Sequence, residues 1–235
     1  MLESRGVPCV AIGAVRVQME KTQPPRGLFV PFQLGRPLGE PEDAGFQRHV
    51  LLQALGLLER TDGPVILEDF PDDPPGWQDV PSWAPPLPPS GATTPDNPEA
   101  WRDGFAAELS RLRPAWERAR LRFERSTVGL SHLPPSEWAA LAALFINGDA
   151  PHVAWHATPA LALRFLSDDI KAFYSEAGQA DGPAPASRQL DAWFWRGTLA
   201  GRLLIALRSV AMASENNAVK TVGGRFLVPA PWLPG

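Results

Sequence analysis

The sequence predicts an α+β protein in three parts. A near-continuous apolar run at residues 7–15 is typical of a buried strand, and a helical stripe of apolar residues follows it. Of the 27 prolines, many fall in the stretch after residue 69, where helices and central strands are disfavoured. From residue 97 onward the apolar residues recur at helical spacing. We therefore expect domains at residues 1–70, 71–97 and 98–235.

The first domain is predicted to be an incomplete α/β, Rossmann-like element. Leu2–Gly6 has the pattern of a last helical turn stopped by glycine, and Val7–Val15 follows as the buried strand. A second short apolar run spans Gly27–Phe32, and a helix is predicted from Pro41 to Glu59. Val65–Leu67 could add one more strand.

The second segment, residues 71–97, is a proline-rich linker or an extended arm that wraps the rest of the chain. Trp77 and Trp83 favour the arm, because a free linker has little use for exposed tryptophans.

The third domain is predicted to be a bundle of four helices followed by a glycine- and proline-rich tail at residues 223–235. Asn97 and Pro98 begin the first helix, and Pro114 is expected to kink it. The others are expected at residues 135–145, from Thr158 onward, and at residues 187–214.

Composition argues against several function classes. The net charge of −4 and the pI near 5.6 give no attraction to nucleic acid or to an anionic membrane. With neither a leader pattern nor a run of about 18 apolar residues, a cytoplasmic location without a membrane partner is expected. The single cysteine, Cys9, allows no internal disulfide and no CxxC metal or redox site, and no cofactor is predicted.

Three segments carry a family resemblance. Arg5–Val10, Gly27–Pro31 and Gly35–Pro41, in that order, resemble the closing part of the glycine, sarcosine, betaine and D-proline reductase B subunits. They are also similar to related short proteins with a selenocysteine-Gly-Ser-Cys or Cys-Gly-Ser-Cys motif. Arg36 stands where those families would have a histidine, which puts that histidine's role in doubt.

The resemblance implies reductive cleavage by a selenolate or thiolate, a nucleophile that is ionised and polarisable near neutral pH. In these families the redox group lies upstream of the Gly-Ile-Pro element, where this chain has no residues. Either a second polypeptide carries the redox motif, or an upstream selenocysteine codon was read as a stop. Cys9 is predicted to be a buried, inert strand residue rather than a substitute nucleophile.

The candidate binding site is the turn formed by Gly35, Arg36, Pro37, Leu38 and Gly39. A Gly- and Pro-rich turn between a strand and a helix is where an open α/β sheet builds its ligand crevice. The alternative is that these residues form only a connecting turn.

Other side chains leave two interpretations each. His152 and His156 could share a metal ion on a helix, although Pro151 and Pro159 leave barely one turn and favour a polar loop. We predict no metal site.

Gly197 and Gly201 allow close helix packing or room for a ligand. An aromatic cluster could line a pocket or form core, and five carboxylates are expected on solvated faces and caps. The aromatic residues are Phe173, Tyr174, Trp193, Phe194 and Trp195; the acids are Asp168, Asp169, Glu176, Asp181 and Asp191.

The functional alternatives are a fragment or partner subunit of a selenoprotein B-like reductase, or a non-catalytic binding or scaffold protein that acts through its helical domain. An enzyme working through the helical domain would need a pocket with convergent polar groups there.

Overall fold

The computed structural model describes residues 3–32, 35–73, 78–89, 93–149, 151–153 and 158–233. Within these residues the chain is α+β, with three strands and eight α-helices. It divides into two units, Met1–Asp79 and Val80–Gly235.

The first unit contains a parallel sheet. Its strands are β1 (Ala11–Gly13), β2 (Arg26–Phe29) and β3 (Ile66–Asp69), in the order β1-β2-β3. Leu28 of β2 pairs in register with Ile12 on one side and with Glu68 on the other. Because all three strands run in the same direction, their carboxyl ends meet at one edge of the sheet.

One face of this sheet packs on helix α2 (Ala44–Gly56), which buries Val50 and Ala54 against it. Asp43 begins the helix by accepting a hydrogen bond from the Phe46 backbone N–H across 3.0 Å. The remaining buried members of this core are Leu28, Val30, Phe32, Leu57, Ile66 and Phe70.

The opposite face packs on the short helix α1 (Arg16–Thr22) through the buried side chain of Met19. A Cβ atom at Gly13 would lie 2.4 Å from the Met19 sulfur, and one at Gly27 would lie 2.8 Å from its methyl carbon. The two glycines therefore allow α1 to approach the sheet closely.

The prediction of a buried strand over Val7–Val15 is wrong in extent. Only residues 11–13 form β1, and both ends of the run are about half exposed. Val15 is the N-cap residue of α1. The apolar run is therefore divided among a loop, a short strand and the start of a helix. Helix α2 likewise begins at Ala44 rather than Pro41, because Asp43 provides its cap.

The opening turn agrees with its prediction. Residues Glu3–Arg5 form one 3-10 turn, and Gly6 ends it with a φ of 77°, in the left-handed region that favours glycine. Leu2 lies outside the described residues.

The described part of the second unit contains six helices rather than the predicted four. The helices are α3 (Pro98–Phe123), α4 (Pro135–Ile146), α5 (Pro159–Ala177), α6 (Ser187–Gly197), α7 (Leu199–Ala213) and α8 (Asn217–Arg225). Helix α3 packs on α4, α5 and α7, and α7 also packs on α8. The cap predicted at Asn97 is confirmed, since its side chain accepts from the Ala100 N–H across 2.9 Å. The helix continues through Pro114.

The prediction of one helix over residues 187–214 is wrong, because the chain breaks at Thr198. This residue is extended, with φ −116° and ψ 154°, and its hydroxyl caps α7 by accepting from the Gly201 N–H across 3.0 Å. A threonine hydroxyl offers the backbone a partner outside the helical pattern, so it favours a helix start over a helix interior. The predicted tail also begins late, since α8 continues through Arg225.

The proline-rich segment contacts the helical unit over part of its length. Trp83 Nε1 donates to the Gly178 carbonyl across 2.9 Å, and Trp193 Nε1 donates to the Leu87 carbonyl across 3.2 Å. The Gln189 amide bonds to both the N–H and the carbonyl of Val80. These contacts are those of an arm over residues 80–89. Trp77 lies outside the described residues.

None of the helices in the described ranges combines the length and the apolar character needed to cross a membrane.

Candidate functional site

At the carboxyl edge of the parallel sheet, the first residue of α1 contacts the last residues of β2 and β3. Arg16 of α1, which follows β1, forms an ion pair with Asp69, the last residue of β3. Its guanidinium carbon lies 5.5 Å from the ring centroid of Phe29, the last residue of β2. A second bond joins Arg16 Nε to Glu20 Oε1 across 3.0 Å. One cation therefore spans the edge where open α/β sheets bind ligands.

Residues Gly35–Gly39 form a structured turn that leads from β2 toward α2. Gly35 and Gly39 have φ values of 93° and 87°, which only glycine adopts without strain. The Gly39 N–H donates to the Arg36 carbonyl across 3.0 Å, and the Arg36 side chain forms an ion pair with Glu40. Leu38 packs against the core of the sheet. The turn is thus fixed at its ends and its middle, while Arg36 is partly exposed.

His49 of α2 lies close to Asp72, which follows β3. His49 Nε2 lies 3.1 Å from Asp72 Oδ2, and the His49 ring contacts Phe70 edge-on with centroids 5.3 Å apart. Neither His49 nor Arg16 was among the residues selected from the sequence. A charged side chain directly after a predicted strand is the signal that could have identified Arg16.

An open cavity of about 400 Å³ lies beside His49, on the side of α2. Arg60 forms ion pairs there with Asp62 and Glu68. The other lining residues are Leu52, Gln53, Gly56 and Leu57.

Cys9 is partly buried and precedes β1, so the prediction of a buried strand cysteine is wrong. Its Sγ donates to the Val7 carbonyl across 3.2 Å. Its backbone N–H donates to Glu3 Oε1 across 3.0 Å, and this bond, aided by the nearby Arg26 guanidinium, lowers the pKa of the Glu3 carboxyl.

In the helical unit, a fully enclosed carboxylate joins three helices. Glu108 on α3 is 2% exposed, and it accepts hydrogen bonds from the Tyr174 hydroxyl on α5 and from the Leu199 and Ala200 backbone N–H groups. Burial raises the pKa of Tyr174 well above its ordinary value, and the adjacent Glu108 charge raises it further. Placing a carboxylate at the start of α7 satisfies two of the N–H groups that a helix leaves unpaired.

Two predicted surface acids instead hold the connection between α3 and α4. Asp169 is 0% exposed, and its carboxylate accepts from the backbone N–H groups of Gly129, Leu130 and Ser131 across 2.8–2.9 Å, as well as from the Ser131 hydroxyl. The prediction that it lies on a solvated face is therefore wrong.

Glu176 plays a similar part. It accepts from Trp116 Nε1 across 2.7 Å, from the Ser126 hydroxyl, and from both the N–H and the hydroxyl of Thr127. By contrast, Asp168 forms ion pairs with Arg164 and Lys171, and Asp181 forms one with Arg118.

The predicted aromatic cluster is core and not a pocket. All five of its side chains are at most 6% exposed, and the Tyr174 ring contacts those of Trp193 and Phe194 at centroid distances of 5.9 and 5.3 Å. Gly201 is packed tightly, since a Cβ atom there would lie 2.3 Å from the Phe194 carbonyl oxygen.

A cavity of about 430 Å³ opens elsewhere in the unit, between α4, α5, α7 and α8. Its floor is apolar and its rim is polar. The lining residues are Phe145, Gly148, Asp149, Leu163, Leu207, Val210, Ala211, Ala213, Ser214, Glu215, Asn216 and Val219. No sequence signal pointed to it, because its lining comes from four helices and two connections.

Within the described ranges, no group of three or more His, Cys, Asp or Glu side chains could hold a metal ion. His152 is exposed, and His156 lies outside the described residues.

Comparisons of the chain with protein-family models, with curated proteins and with solved structures find no match.

Proposed function

We propose that this chain is a reductase-related protein whose α/β element binds substrate for reductive cleavage by a thiolate or selenolate on another polypeptide. The observation that carries the proposal is the shared carboxyl edge of the three parallel strands. The central strand leads from this edge toward the 35–39 turn that precedes α2, and parallel α/β sheets bind ligands outside the carboxyl ends of their strands. The same residues carry the resemblance to the selenoprotein B reductases.

Glycine, betaine and D-proline, the substrates that the resemblance implies, all carry a carboxylate. Arg16 is the cation that the sheet holds at its carboxyl edge, and its side chain is 40% exposed. Guanidinium groups bind carboxylates in a bidentate manner, so a substrate could replace Asp69 as the partner of Arg16. Arg36 on the turn would supply a second positive charge.

The redox group must come from elsewhere, because Cys9 is the chain's only thiol and its Sγ bonds to the Val7 carbonyl. The resemblance implies that the partner is a polypeptide that bears a selenocysteine-Gly-Ser-Cys or Cys-Gly-Ser-Cys motif.

The test is co-expression with the DNA directly upstream of this coding sequence, with any in-frame TGA codon replaced by a cysteine codon. We expect a monodisperse complex that reduces glycine, betaine or D-proline with a dithiol as electron donor. Cys9→Ser should leave the rate unchanged, while Arg16→Gln should raise KM. Upstream DNA without such a motif, or two polypeptides that do not associate, would contradict the proposal.

The alternative is a non-catalytic binding protein that acts through its helical unit. The cavity between α4, α5, α7 and α8 favours it, since its volume falls within the usual range of small-molecule sites. Ligand binding by the helical unit together with an inactive, unassociated α/β element would support this alternative over the reductase.

A further inference from the structure

The cavity in the helical unit has an apolar floor. Phe145 of α4, Leu163 of α5, Leu207 of α7 and Val219 of α8 line it, and each of these side chains is at most 4% exposed. The floor is therefore largely shielded from water, and the cavity of about 430 Å³ that it borders is partly open. An apolar group that enters a cavity of this kind gains free energy by leaving water.

The rim of the same cavity is acidic. Asp149 lies on the connection between α4 and α5, and Glu215 lies on the connection between α7 and α8. The described lining residues include no lysine and no arginine. Asn216, the remaining large polar side chain of the rim, uses its carbonyl oxygen to cap α8 through the Ala218 and Val219 N–H groups. The two carboxylates thus set the charge at the mouth.

We propose that this cavity binds a small apolar molecule that carries one cationic amine, with its apolar body on the floor and its ammonium between Asp149 and Glu215. An anionic ligand would meet two like charges at the mouth, and a neutral one would gain no attraction between opposite charges. The site is separate from the α/β element, and it stands or falls independently of the reductase proposal.

The experiment compares three probes of the same shape and different charge: phenylbutylamine, phenylbutanol and phenylbutyrate. Calorimetric titration of the full chain should show saturable binding of the amine, about fivefold weaker binding of the alcohol, and the weakest binding of the acid. The preference for the amine should shrink as salt is added, because the carboxylates are exposed.

Matched variants locate the charge effect. In the double variant Asp149→Asn with Glu215→Gln, the amine should bind no more tightly than the alcohol, while the alcohol keeps its wild-type affinity. Glu59→Gln removes one carboxylate charge from the other unit and should change neither value. If the double variant keeps the full preference for the amine, the acidic rim does not select the ligand and the proposal is wrong.

A substitution that fills the cavity tests whether the apolar body of the ligand binds there. Val210 lines the cavity and is only partly buried, so Val210→Trp can occupy the volume with little disturbance of the core. It should abolish binding of both the amine and the alcohol while the helical circular dichroism is kept. If this variant does not fold, chemical shift changes decide, since the amine should shift the methyl signals of Leu207 and Val219 in the wild-type chain. Absence of saturable binding, or binding that leaves those methyl signals unmoved, would overturn the proposal.

Discussion

The Tyr174 hydroxyl donates a hydrogen bond to Glu108 Oε1 across 2.7 Å, and both side chains are sealed from solvent at 0% and 2% exposure. The same carboxylate accepts from the Leu199 and Ala200 N–H groups at 2.8 and 3.0 Å. A single acid on α3 therefore fixes α5 and the start of α7. It also explains why the chain breaks at Thr198, since the first N–H groups of α7 have a partner ready within the core.

Replacing Glu108 should be among the most damaging single changes in the helical unit. Glu108→Ala leaves a buried hydroxyl and two buried N–H groups without an acceptor, at a cost of roughly 3–5 kcal/mol in the free energy of unfolding. Glu117→Ala on the same helix is the control, because its side chain is 52% exposed and should cost under about 1 kcal/mol. Urea unfolding measures both, and a similar midpoint for the two variants would contradict the assignment.

Tyr174 is the chain's single tyrosine, so its ionisation can be followed by ultraviolet absorbance. Burial and the Glu108 charge raise its pKa well above the ordinary value, which is about 10 in unfolded chains. The folded state then holds its proton more tightly than the unfolded state, so stability falls as the pH rises past about 10. We expect the tyrosinate band to appear only together with loss of helical circular dichroism. A tyrosinate band in the folded chain near pH 10 would refute the burial argument.

The helical pattern predicted where most helices of the second unit begin, since Asn97, Thr158 and Ser187 stand at or next to observed helix starts. The apolar pattern did not predict the break at Thr198, because the periodicity continues across it. The Glu108 carboxylate that accepts from the first α7 N–H groups lies far away in the sequence. A buried charge such as Glu108 has no local sequence signature. Its environment is set by residues some 60 to 90 positions away.

Replacing Asp169 should destabilise the connection between α3 and α4 more than the helices themselves. Its carboxylate holds three consecutive N–H groups of the connection between α3 and α4. In Asp169→Asn one oxygen becomes an NH2 group that faces N–H donors. We therefore expect the free energy of unfolding to fall by about 2–4 kcal/mol. Hydrogen exchange should accelerate at residues 129–131 more than in α3. Asp168→Asn, at the partly exposed neighbour, serves as the control, and equal exchange in the two variants would exclude this role.

In the first unit, the sequence predicted the secondary structure more completely than the residues of the candidate site. The order of the three strands and α2 was predicted, and residues 35–39 do form a turn, but the short helix α1 was not predicted. The sequence pattern also identified neither Arg16 nor His49. Arg16 meets Asp69 across 53 positions, and His49 meets Asp72 across 23. Which strand ends lie side by side depends on sheet order, and a single sequence without strand pairing information does not specify that order.

Trp83 tests whether the arm stabilises the helical unit. Its indole N–H bonds to the Gly178 carbonyl, and its ring packs edge-on against Trp193 at 6.3 Å. Trp83→Phe should cost about 1 kcal/mol by removing the hydrogen bond, and Trp83→Ala about 2–3 kcal/mol by removing the packing as well. The exposed neighbour gives a control in Ser82→Ala. Thermal melts that do not distinguish Trp83→Ala from this control would show that the arm contributes nothing to stability.

Asp191 and Asp181 should respond to pH in opposite directions. Burial raises the pKa of Asp191, whereas hydrogen bonds from the Arg118 guanidinium lower the pKa of Asp181. A raised folded-state pKa means that the ionised Asp191 destabilises the fold, a cost that appears as the pH rises through its unfolded value of about 4. The Asp191→Asn variant should therefore have a higher melting temperature than the wild-type chain at pH 7, and the difference should shrink toward about pH 4.

The lowered pKa of Asp181 gives the reverse sign. The Asp181→Asn variant should have a lower melting temperature than the wild-type chain at pH 7. This difference should vanish as the pH falls and the wild-type carboxyl is protonated. Both melts are measured against pH in one buffer series. Two variants that shift in the same direction at pH 7 would contradict the assigned environments of these two acids.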